Sequence, residues 1–343
     1  MEAFSVPISS KKIIVHGNQR MTESPNISVI IPTCQRTELL LTCVASVLKG
    51  DYDTYEIIVI DQDRNQTLKQ RLIEEYSNET RIRYFFLDKA GASKARNLGL
   101  QKANGEIVAF IDDDAVADSG WLKAIAEAFL TVKPTPALIG GRIDPIWLHR
   151  KPKWYPKERE FLLGLYNIGN EICPMPEHDQ PIGANMAGLR DVIVQLGGFD
   201  ENLGPNYFRK RSMLTGEEAI LGKRVKNAGY QLYYQPKAHV YHQISPKKLT
   251  ISYFLKRHFW EGVTTISQIF FLGDLKSNKK NHIFYHSRIV VKSIARAILP
   301  NYKKNQDVSL LEMRMLSLSK TAFSLGVLYG LLTLDYFDKK IKS

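Results

Sequence analysis

Three consecutive aspartates, Asp112, Asp113 and Asp114, directly follow an apolar run at residues 107–111. Adjacent carboxylates repel one another, so the triplet is costly unless a cation neutralises it. Carboxylate oxygens suit Mg²⁺ or Mn²⁺, which in turn prefer diphosphate oxygens. In an extended segment Asp112 and Asp114 point to the same side, which predicts that these two face one ligand. The alternative is a solvated acidic turn, or an N-cap for a helix that begins near Trp121.

Two further groups could take part in proton or metal chemistry. Glu217 and Glu218 follow Gly216 and precede a helical pattern at residues 219–227. One of them can act as a general base that removes a proton from a hydroxyl group, although acids at a helix N-terminus often only compensate the helix dipole. His242 follows a predicted strand at residues 230–234 and a predicted turn at Pro236, and an imidazole there could complete a metal site or serve a structural role.

Polar side chains at two other predicted strand ends could bind a nucleotide. Thr33 ends the first strand, and Asp61 and Asp63 end the second. Such positions can take a ribose and a base, while an Asp after a strand is also a common helix cap. Lys94 and Arg96 lie where a loop passes into a helix, and cations there can meet phosphates. Ordinary surface charge is the other interpretation of that pair.

These residues are separated in the sequence by alternating strand and helix patterns. Short β-branched runs predict buried strands, and apolar residues at helical spacing predict the connecting helices. This alternation predicts an α/β fold with a doubly wound, mostly parallel sheet. Ligands bind at the carboxyl edge of such a sheet, so we expect the distant acids to meet at one site. The predicted strands cover residues 27–32, 55–60, 82–87 and 106–111, and the predicted helices cover 38–48, 66–77 and 94–103.

The composition is that of an ordinary globular protein. The chain has 343 residues, of which 44% are apolar and 24% charged, and this length suits one large α/β domain with an accessory segment. Cys34, Cys43 and Cys173 have spacings that fit neither a disulfide framework nor a zinc site, so we expect free thiols. No apolar core follows basic residues at the N-terminus, so we predict no signal peptide and a cytoplasmic protein.

The net charge of +12 is concentrated in the C-terminal part of the chain. From His239 onwards there are 17 Lys and Arg against 6 Asp and Glu, whereas the remainder is nearly neutral. A basic tail favours an anionic partner, either nucleic acid or membrane phospholipid, with a solvated surface as the alternative. The tail lacks the aromatic and glycine signature of a single-strand platform, so we do not expect nucleic acid as a partner.

Helical patterns dominate this tail from Leu249 onwards. The apolar residues 321–334 are short for a bilayer span. They could lie in the membrane interface, pack on the body of the protein, or form a homodimer contact. We therefore expect a protein that can be peripheral on the inner face of the cytoplasmic membrane.

Taken together, nine segments resemble glycosyltransferase family 2, whose members have the GT-A fold. They run in the family's order over about residues 27–243, which makes coincidence improbable. The resemblance implies a Rossmann-like sheet with a helical C-terminal extension. The segments are Val29-Ile30-Ile31-Pro32-Thr33, Ile58-Val59-Ile60-Asp61, Ala95-Arg96-Asn97-Leu98-Gly99-Leu100, Phe110-Ile111-Asp112-Asp113-Asp114, Gly183-Ala184-Asn185-Met186, Gly197-Gly198-Phe199-Asp200-Glu201, Gly216-Glu217-Glu218, Ala228-Gly229-Tyr230 and Val240-Tyr241-His242.

The resemblance also implies roles for the matched residues. Thr33 and Asp61 would line the nucleoside pocket, with Arg36 or Glu38 nearby. The other implied assignments are nucleotide-sugar binding by Asp63, Lys94, Arg96, Asp112 and Asp113, an Mn²⁺ or Mg²⁺ site at Asp112, Asp114 and His242, and acceptor binding by Asn185, Gly198 and Phe199.

The implied reaction is an inverting transfer from a nucleotide diphosphate sugar, a UDP-sugar in the first place, to a saccharide or lipid-linked acceptor. The metal stabilises the charge on the leaving diphosphate, while a base takes the proton of the attacking hydroxyl. The family usually has a Glu-Asp pair with Asp as the base. Here Glu218 stands at that position, which keeps the carboxylate and lengthens it by one methylene, so Glu217 and Glu218 are both candidates.

The sequence also bears on the type of enzyme. Processive synthases of the family carry a Gln-any-any-Arg-Trp motif, which this sequence lacks, so we expect a single addition. The chain is similar to bacterial enzymes of surface polysaccharide assembly. Two alternatives remain: a catalytically inactive nucleotide-sugar-binding module, and a nucleotidyltransferase. The retained acids argue against the first, and the absence of glycine from residues 33–37 argues against the second.

The expected organisation follows from these assignments. Residues 1–26 form a lead-in, residues 27–245 a GT-A domain, and residues 246–343 a basic helical region that could contact a membrane or a second copy. Within the domain, residues 27–115 are expected to bind the nucleotide and residues 116–245 the acceptor.

Overall fold

The computed structural model describes residues 22–65, 67–205, 213–271, 279–298 and 309–341. Most of the expected lead-in therefore lies outside the described residues. The strands are β1 Ile27–Thr33, β2 Tyr55–Asp61, β3 Ile82–Phe86, β4 Ile107–Ile111, β5 Ala115–Ala117, β6 Leu138–Trp147, β7 Cys173–Pro174, β8 Asn185–Leu189 and β9 Leu232–Ile244. The α-helices are α1 Thr37–Leu48, α2 Thr67–Tyr76, α3 Ala92–Lys102, α4 Trp121–Thr131, α5 Arg190–Gln195, α6 Glu217–Asn227, α7 Ile251–Phe271, α8 Lys279–Ile298 and α9 Leu310–Ile341, and two 3-10 helices cover Lys157–Leu163 and Pro246–Leu249.

The described strands form one sheet in the order β3-β2-β1-β4-β8-β6-β9-β5, with β7 paired to β9. The first four strands in this order are parallel, because β1 pairs in parallel with β2 and β4, and β2 with β3. Strand β8 then runs antiparallel to β4. The doubly wound, mostly parallel α/β sheet predicted from the sequence is confirmed.

Helices cover both faces of the parallel strands, which explains their unbroken apolar sequences. Ile27, Val29 and Ile31 of β1 belong to one buried cluster with side chains of α1 and α4. Ile30 points to the opposite face and belongs to a second cluster with side chains of α3 and α6. A strand buried on both faces needs apolar residues at every position rather than at alternate ones.

Strand β9 differs from the prediction. The sequence predicted a strand at residues 230–234, a turn at Pro236 and a separate segment around His242. The structure shows one strand from Leu232 to Ile244, and its pairing with β6 shifts register between Gly141 and Arg142. This irregularity accommodates Pro236, which has no N–H to donate to a neighbouring strand.

The C-terminal helices pack against one another at very short range. Helix α9 lies against α7 and α8. A Cβ atom added at Gly326 of α9 would lie 1.8 Å from the carbonyl oxygen of Phe259, and one added at Gly262 of α7 would lie 2.0 Å from that of Phe323. Two helices can approach this closely only where small residues form the contact.

One described helix, Leu310–Thr333 within α9, is long and apolar enough to cross a membrane by length and composition, with 24 residues and a mean hydropathy of 1.4. The sequence-based expectation of a segment too short for a bilayer was therefore wrong. The apolar helix begins at Leu310, well before residue 321, because the few polar residues between them do not interrupt it.

Candidate active site

The carboxyl ends of the parallel strands bring the predicted acids together. Thr33 at the end of β1 lies opposite Asp61 at the end of β2. The Thr33 hydroxyl donates a hydrogen bond to Oδ2 of Asp113, which follows β4, at 2.7 Å. Residues 80 positions apart in the sequence thus meet at the sheet edge where open α/β folds bind ligands.

The aspartate triplet is a turn between β4 and β5 and not an extended segment. The N–H of Ala115 donates to the carbonyl of Asp112 at 3.0 Å, and Asp113 and Asp114 occupy the bend. The extended conformation from which a shared ligand of Asp112 and Asp114 was predicted is therefore wrong, and the shared ligand itself stays a prediction. The three carboxylates diverge, and each meets a different set of cations.

Asp113 contacts residues at the end of β1 and just after it. It is 2% exposed and accepts hydrogen bonds from Thr33 and, at 2.9 Å, from Arg36. Burial raises the pKa of Asp113 to about 6, although the charge of Arg36 works in the opposite direction. Asp113 joins β1 to β4 and orients Arg36, whose side chain is 30% exposed at the sheet edge.

Asp114 meets the predicted histidine and one lysine that sequence reasoning missed. Its Oδ1 lies 3.1 Å from Nε2 of His242, because β5 and β9 pair with Ala115 opposite His242. Its Oδ2 lies 3.1 Å from Nζ of Lys248, which also lies 3.1 Å from Nε2 of His242. Burial alone would raise the pKa of Asp114, but His242, Lys248 and Arg36 hold it well below its usual range.

The side-chain types of Asp114 and His242 suit a divalent cation. The carboxylate and the imidazole both contact the Lys248 ammonium, so the position between them already accepts positive charge. A Mg²⁺ or Mn²⁺ site often has only one or two protein ligands and completes its shell with phosphate oxygens. Asp112 points to Arg96 at 3.2 Å instead, and the described residues contain no cluster of three His, Cys, Asp or Glu that could hold a metal alone.

Arg96 contacts three acids, Asp112, Glu217 and Glu218. Its Nη1 lies 2.8 Å from Glu217 and 3.6 Å from Glu218, and its Nη2 contacts Asp112. Burial would lower the pKa of Arg96, but Glu218, Asp112 and Glu217 raise it above its usual value. The Arg96 side chain is 5% exposed, so it holds carboxylates in place, and the predicted direct contact with phosphates is not favoured by this arrangement.

The two glutamates have different environments. Glu217 is 1% exposed, and its burial together with the charge of Glu218 raises its pKa to about 8. The Glu218 side chain is 17% exposed. A Cβ atom added at Gly183 would lie 2.4 Å from Oε1 of Glu218, so Glu218 lies against a glycine just before β8. The geometry therefore favours Glu218 over Glu217 as the carboxylate that can reach a substrate.

Helix α7 contacts Thr215 and Gly216, the two residues that precede α6. The N–H of Thr215 donates to Oγ1 of Thr264 at 3.2 Å, and Arg257 donates to the Thr215 hydroxyl at 3.3 Å. Gly216 adopts a positive φ of 107° as α6 begins, and a Cβ there would lie 2.3 Å from Nε2 of Gln268. The backbone thus turns sharply into α6 and sets the direction of both glutamates.

The residues at the end of β2, where the sequence predicts nucleoside binding, are polar and largely buried. Asp61 is 1% exposed, accepts from the Tyr84 hydroxyl and from the N–H of Asp63, both at 2.9 Å, and its pKa is raised by burial. Gln62, which the sequence did not single out, accepts the N–H of Gly91 at 2.7 Å. These bonds join the end of β2 to the start of α3.

Glu38 and Lys94 are two further residues that were predicted to bind the nucleotide sugar. Glu38 is exposed on α1 and pairs with Arg71 of α2 at 2.9 Å, so the structure does not bring it to the acids. Lys94 lies in the first turn of α3, which begins at Ala92 rather than at residue 94.

The predicted acceptor residues are buried inside the fold. The Asn185 amide donates to the carbonyls of Arg142 and Ala238 and accepts from the Trp121 indole, and it is 2% exposed. Phe199 is 2% exposed and packs edge-on against Phe110 at 5.2 Å. Gly198 is buried with a positive φ of 63°. These groups have their contacts inside the fold, and acceptor binding by Asn185, Gly198 and Phe199 stays a prediction.

Residues 28–196 match the family model described as Glycosyl transferase family 2. The chain is 25% identical over 327 residues to the glucosyl-dolichyl phosphate glucuronosyltransferase of Haloferax volcanii, covering 91% of this chain and 98% of that protein. It is 35% identical over 105 residues to the GalNAc(5)-diNAcBac-PP-undecaprenol beta-1,3-glucosyltransferase of Campylobacter jejuni, covering 30% and 34% of the two chains. The mannosyltransferase PcManGT from Pyrobaculum calidifontis, solved with GDP-Man and Mn²⁺, shares the fold with a TM-score of 0.58 and 16% identity over 90% of this chain and 88% of that one.

Proposed function

This chain belongs to glycosyltransferase family 2 and has the GT-A fold, and we propose that it transfers one sugar from a nucleotide diphosphate donor to a lipid-linked acceptor with inversion. The observation that carries this proposal is the arrangement at the sheet edge. Asp114 and His242 present a cation-binding pair, and Glu218 presents a carboxylate on the other side of Arg96.

The donor is proposed to bind along the carboxyl edge of β1, β2 and β4. Thr33, Asp61 and Asp63 are proposed to meet the nucleoside, and the Arg36 guanidinium, which contacts Asp113 and Asp114, lies at the same edge. We propose a UDP-sugar as the donor. The relative of known structure binds a nucleotide sugar of the same general kind, GDP-Man.

A divalent cation is proposed to bind at Asp114 and His242. When bound, Mn²⁺ or Mg²⁺ would act as a Lewis acid toward the diphosphate. The residues of the chain supply the rest of the electrostatics. Lys248 and Arg36 both contact Asp114, so their positive charges lie where the leaving diphosphate gains negative charge.

Glu218 is proposed as the general base. Its carboxylate takes the proton of the acceptor hydroxyl while that oxygen forms a bond to the anomeric carbon. The bond from the anomeric carbon to the diphosphate oxygen breaks, and its electron pair stays on the diphosphate. Because attack comes from the face opposite the leaving group, the anomeric configuration inverts in a single displacement. Glu217 and Arg96 position Glu218 and do not touch the substrate.

The acceptor is proposed to be a glycolipid phosphate. Two relatives are named for dolichyl phosphate and undecaprenyl diphosphate acceptors. Helix α8 carries several basic residues and no acid, and Phe284 and Val291 are 66% and 69% exposed. These features support a peripheral position at the cytoplasmic membrane, where each basic residue adds on the order of 1 kcal/mol near anionic lipid. A role in the assembly of bacterial surface polysaccharide remains part of this proposal.

A panel of nucleotide sugars tests the proposed donor chemistry. We expect one donor to bind and to be slowly hydrolysed by the purified protein in the presence of Mn²⁺ or Mg²⁺. Asp114→Asn should lower this turnover by about 10²-fold or more, because the cation pair loses its charge. Circular dichroism must show that the variant is folded. A folded wild type that binds no donor of the panel, or an Asp114→Asn variant with full turnover, would contradict the proposal.

A further inference from the structure

A cavity of about 520 Å³ lies outside the catalytic edge, between the 3-10 helix Lys157–Leu163 and the helices α7, α8 and α9. Its volume falls in the range of roughly 300–1,000 Å³ that small-molecule sites occupy. Part of its wall is apolar, with Phe161, Leu162, Ile289 and Phe323 among the lining residues. The catalytic machinery described above does not use this cavity.

The charged residues that line the cavity are mostly basic. Arg159, Lys292, Arg296 and Lys320 face one acid, Glu261, among the described lining residues. Glu261 is itself paired with Arg257 at 3.0 Å. A cavity that combines several cations with an apolar wall is complementary to an anionic group attached to a hydrocarbon chain.

Two buried polar atoms at the cavity have no hydrogen-bond partner among the described residues. His258 is 3% exposed, and its Nδ1 lies 2.8 Å from the carbonyl of Phe254, so Nδ1 carries the proton and Nε2 is left as an acceptor. Nε2 of His258 and Nε of Arg159 are both unpaired. Burial lowers the pKa of His258 to about 4. Buried polar atoms are rarely left without a partner, so they indicate a missing one.

The cavity is connected to the catalytic segment through one helix. Glu261, in the cavity wall, pairs with Arg257, and Arg257 donates to the Thr215 hydroxyl at 3.3 Å. Thr215 stands three positions before Glu218. A group bound in the cavity is therefore linked to Thr215 by two side-chain contacts, and the backbone from Thr215 to Glu218 completes the connection to the proposed base.

We propose that this cavity binds the phosphate and the adjoining hydrocarbon of the lipid that carries the acceptor sugar. The inference rests on the proposed function, since it assumes a lipid-linked acceptor. Arg159, Lys292 and Lys320 pair with the phosphate oxygens, and a phosphate O–H or ligand hydroxyl donates to Nε2 of His258. Phe161, Ile289 and Phe323 cover the first carbons of the chain. Binding here anchors the lipid against α7, the helix whose Arg257 contacts Thr215.

Farnesyl phosphate serves as the probe for this cavity, with the full-length protein in mild detergent and calorimetry as the readout. We expect wild type to bind farnesyl phosphate at least about tenfold more tightly than farnesol or inorganic phosphate, because both the charge and the chain are recognised. Short-chain phosphatidylglycerol should bind equally weakly, which separates a single-chain lipid phosphate from a bulk phospholipid. Equal binding of inorganic phosphate or of phosphatidylglycerol would overturn the proposal.

Variants of the cavity wall provide the matched comparison. Lys292→Met with Lys320→Met should weaken farnesyl phosphate binding by at least about tenfold, whereas Arg288→Met, on the same helix and outside the cavity, should change it less than about twofold. Ile289→Trp, which fills the cavity without a change of charge, should also weaken binding. Unchanged binding in the double variant, or an equal loss in Arg288→Met, would overturn the assignment.

Hydrolysis of the nucleotide sugar separates this inference from the proposed function. The cavity variants should hydrolyse the donor at the wild-type rate and show a raised KM for a lipid-linked acceptor. Normal donor hydrolysis without binding of farnesyl phosphate would overturn the cavity assignment alone. A wild type that neither binds nor hydrolyses any donor would remove the proposed function on which the inference rests.

Discussion

At the scale of single residues, the carboxylates of the aspartate triplet contact different cations: Asp112 contacts Arg96, and Asp114 contacts Lys248. Residue types at strand ends were sufficient to predict that Thr33, Asp61 and the aspartate triplet meet, because parallel strands share their carboxyl edge. The triplet diverges because it forms a turn, and strand periodicity does not apply in a turn. Lys248 was missed because it contacts Asp114 across 134 positions of sequence, and nothing local distinguishes it from Lys247.

The contact between Lys248 and both proposed metal ligands predicts competition with the metal. Replacing Lys248 with Met should tighten Mn²⁺ binding to the nucleotide-free protein by about fivefold, since a partly exposed charge of this kind contributes on the order of 1 kcal/mol. Titration followed by electron paramagnetic resonance measures this affinity directly. Lys247→Met, an exposed neighbour on the same 3-10 helix, is the control and should bind as wild type does. Equal or weaker Mn²⁺ binding in Lys248→Met would argue that the ammonium supports the site rather than competes for it.

At the scale of elements, the sheet and the first helices could be predicted because their apolar patterns are regular. The continuous strand β9 could not be predicted from the sequence, because a proline normally ends a strand. The irregular pairing of β9 with β6 accommodates Pro236 in this structure. The surroundings of the predicted acceptor residues could not be read from the sequence. The Asn185 amide donates to the carbonyls of Arg142 and Ala238, and the Phe199 ring packs against Phe110.

The segment before β8 offers a test of how closely the elements must approach. A methyl group on Gly183 would meet Oε1 of Glu218 and Nη2 of Arg96, both at 2.4 Å. We expect Gly183→Ala to lower kcat by at least about tenfold, because small displacements of a catalytic group are costly, and to leave donor affinity within about twofold. Steady-state kinetics and donor titration provide the two numbers. Gly120→Ala, where φ is −83° and the nearest atom lies 3.7 Å from the added group, controls for a general effect of the substitution. Wild-type kcat in Gly183→Ala would be inconsistent with the described contact.

At the scale of the whole molecule, the basic C-terminal part was evident from charge alone, but its architecture was not. The tight packing of α7 on α9 depends on Gly262 and Gly326, which are too far apart in sequence to be read as a pair. The length of the apolar helix was underestimated because residues 310–320 mix polar and apolar types. Helix α7 follows the 3-10 helix that carries Lys248, and its Arg257 contacts Thr215, so α7 connects the C-terminal region to the catalytic edge.

The exposed apolar residues of α8 predict association with anionic membranes. The full-length protein should sediment with phosphatidylglycerol vesicles and less so at high salt, because surface charge is screened. Phe284→Ser with Val291→Ser should weaken the association by about tenfold or more, since a buried apolar side chain contributes roughly 1.5–3 kcal/mol. Ile73→Ser, at a 53% exposed apolar position of α2, is the control. Sedimentation that does not depend on the lipid charge, the salt concentration or the α8 substitutions would exclude this mode of binding.

The central claim is that Glu218 removes the proton of the acceptor hydroxyl, and sugar transfer by Glu218→Gln tests it most directly. With the donor found in the panel and its acceptor, kcat should fall by about 10²–10⁴-fold while donor affinity stays within about twofold of wild type. Glu218→Asp, which restores the residue usual at this position in the family, should recover much of the lost rate. A Glu218→Gln variant that transfers sugar within about twofold of the wild-type rate would contradict the account.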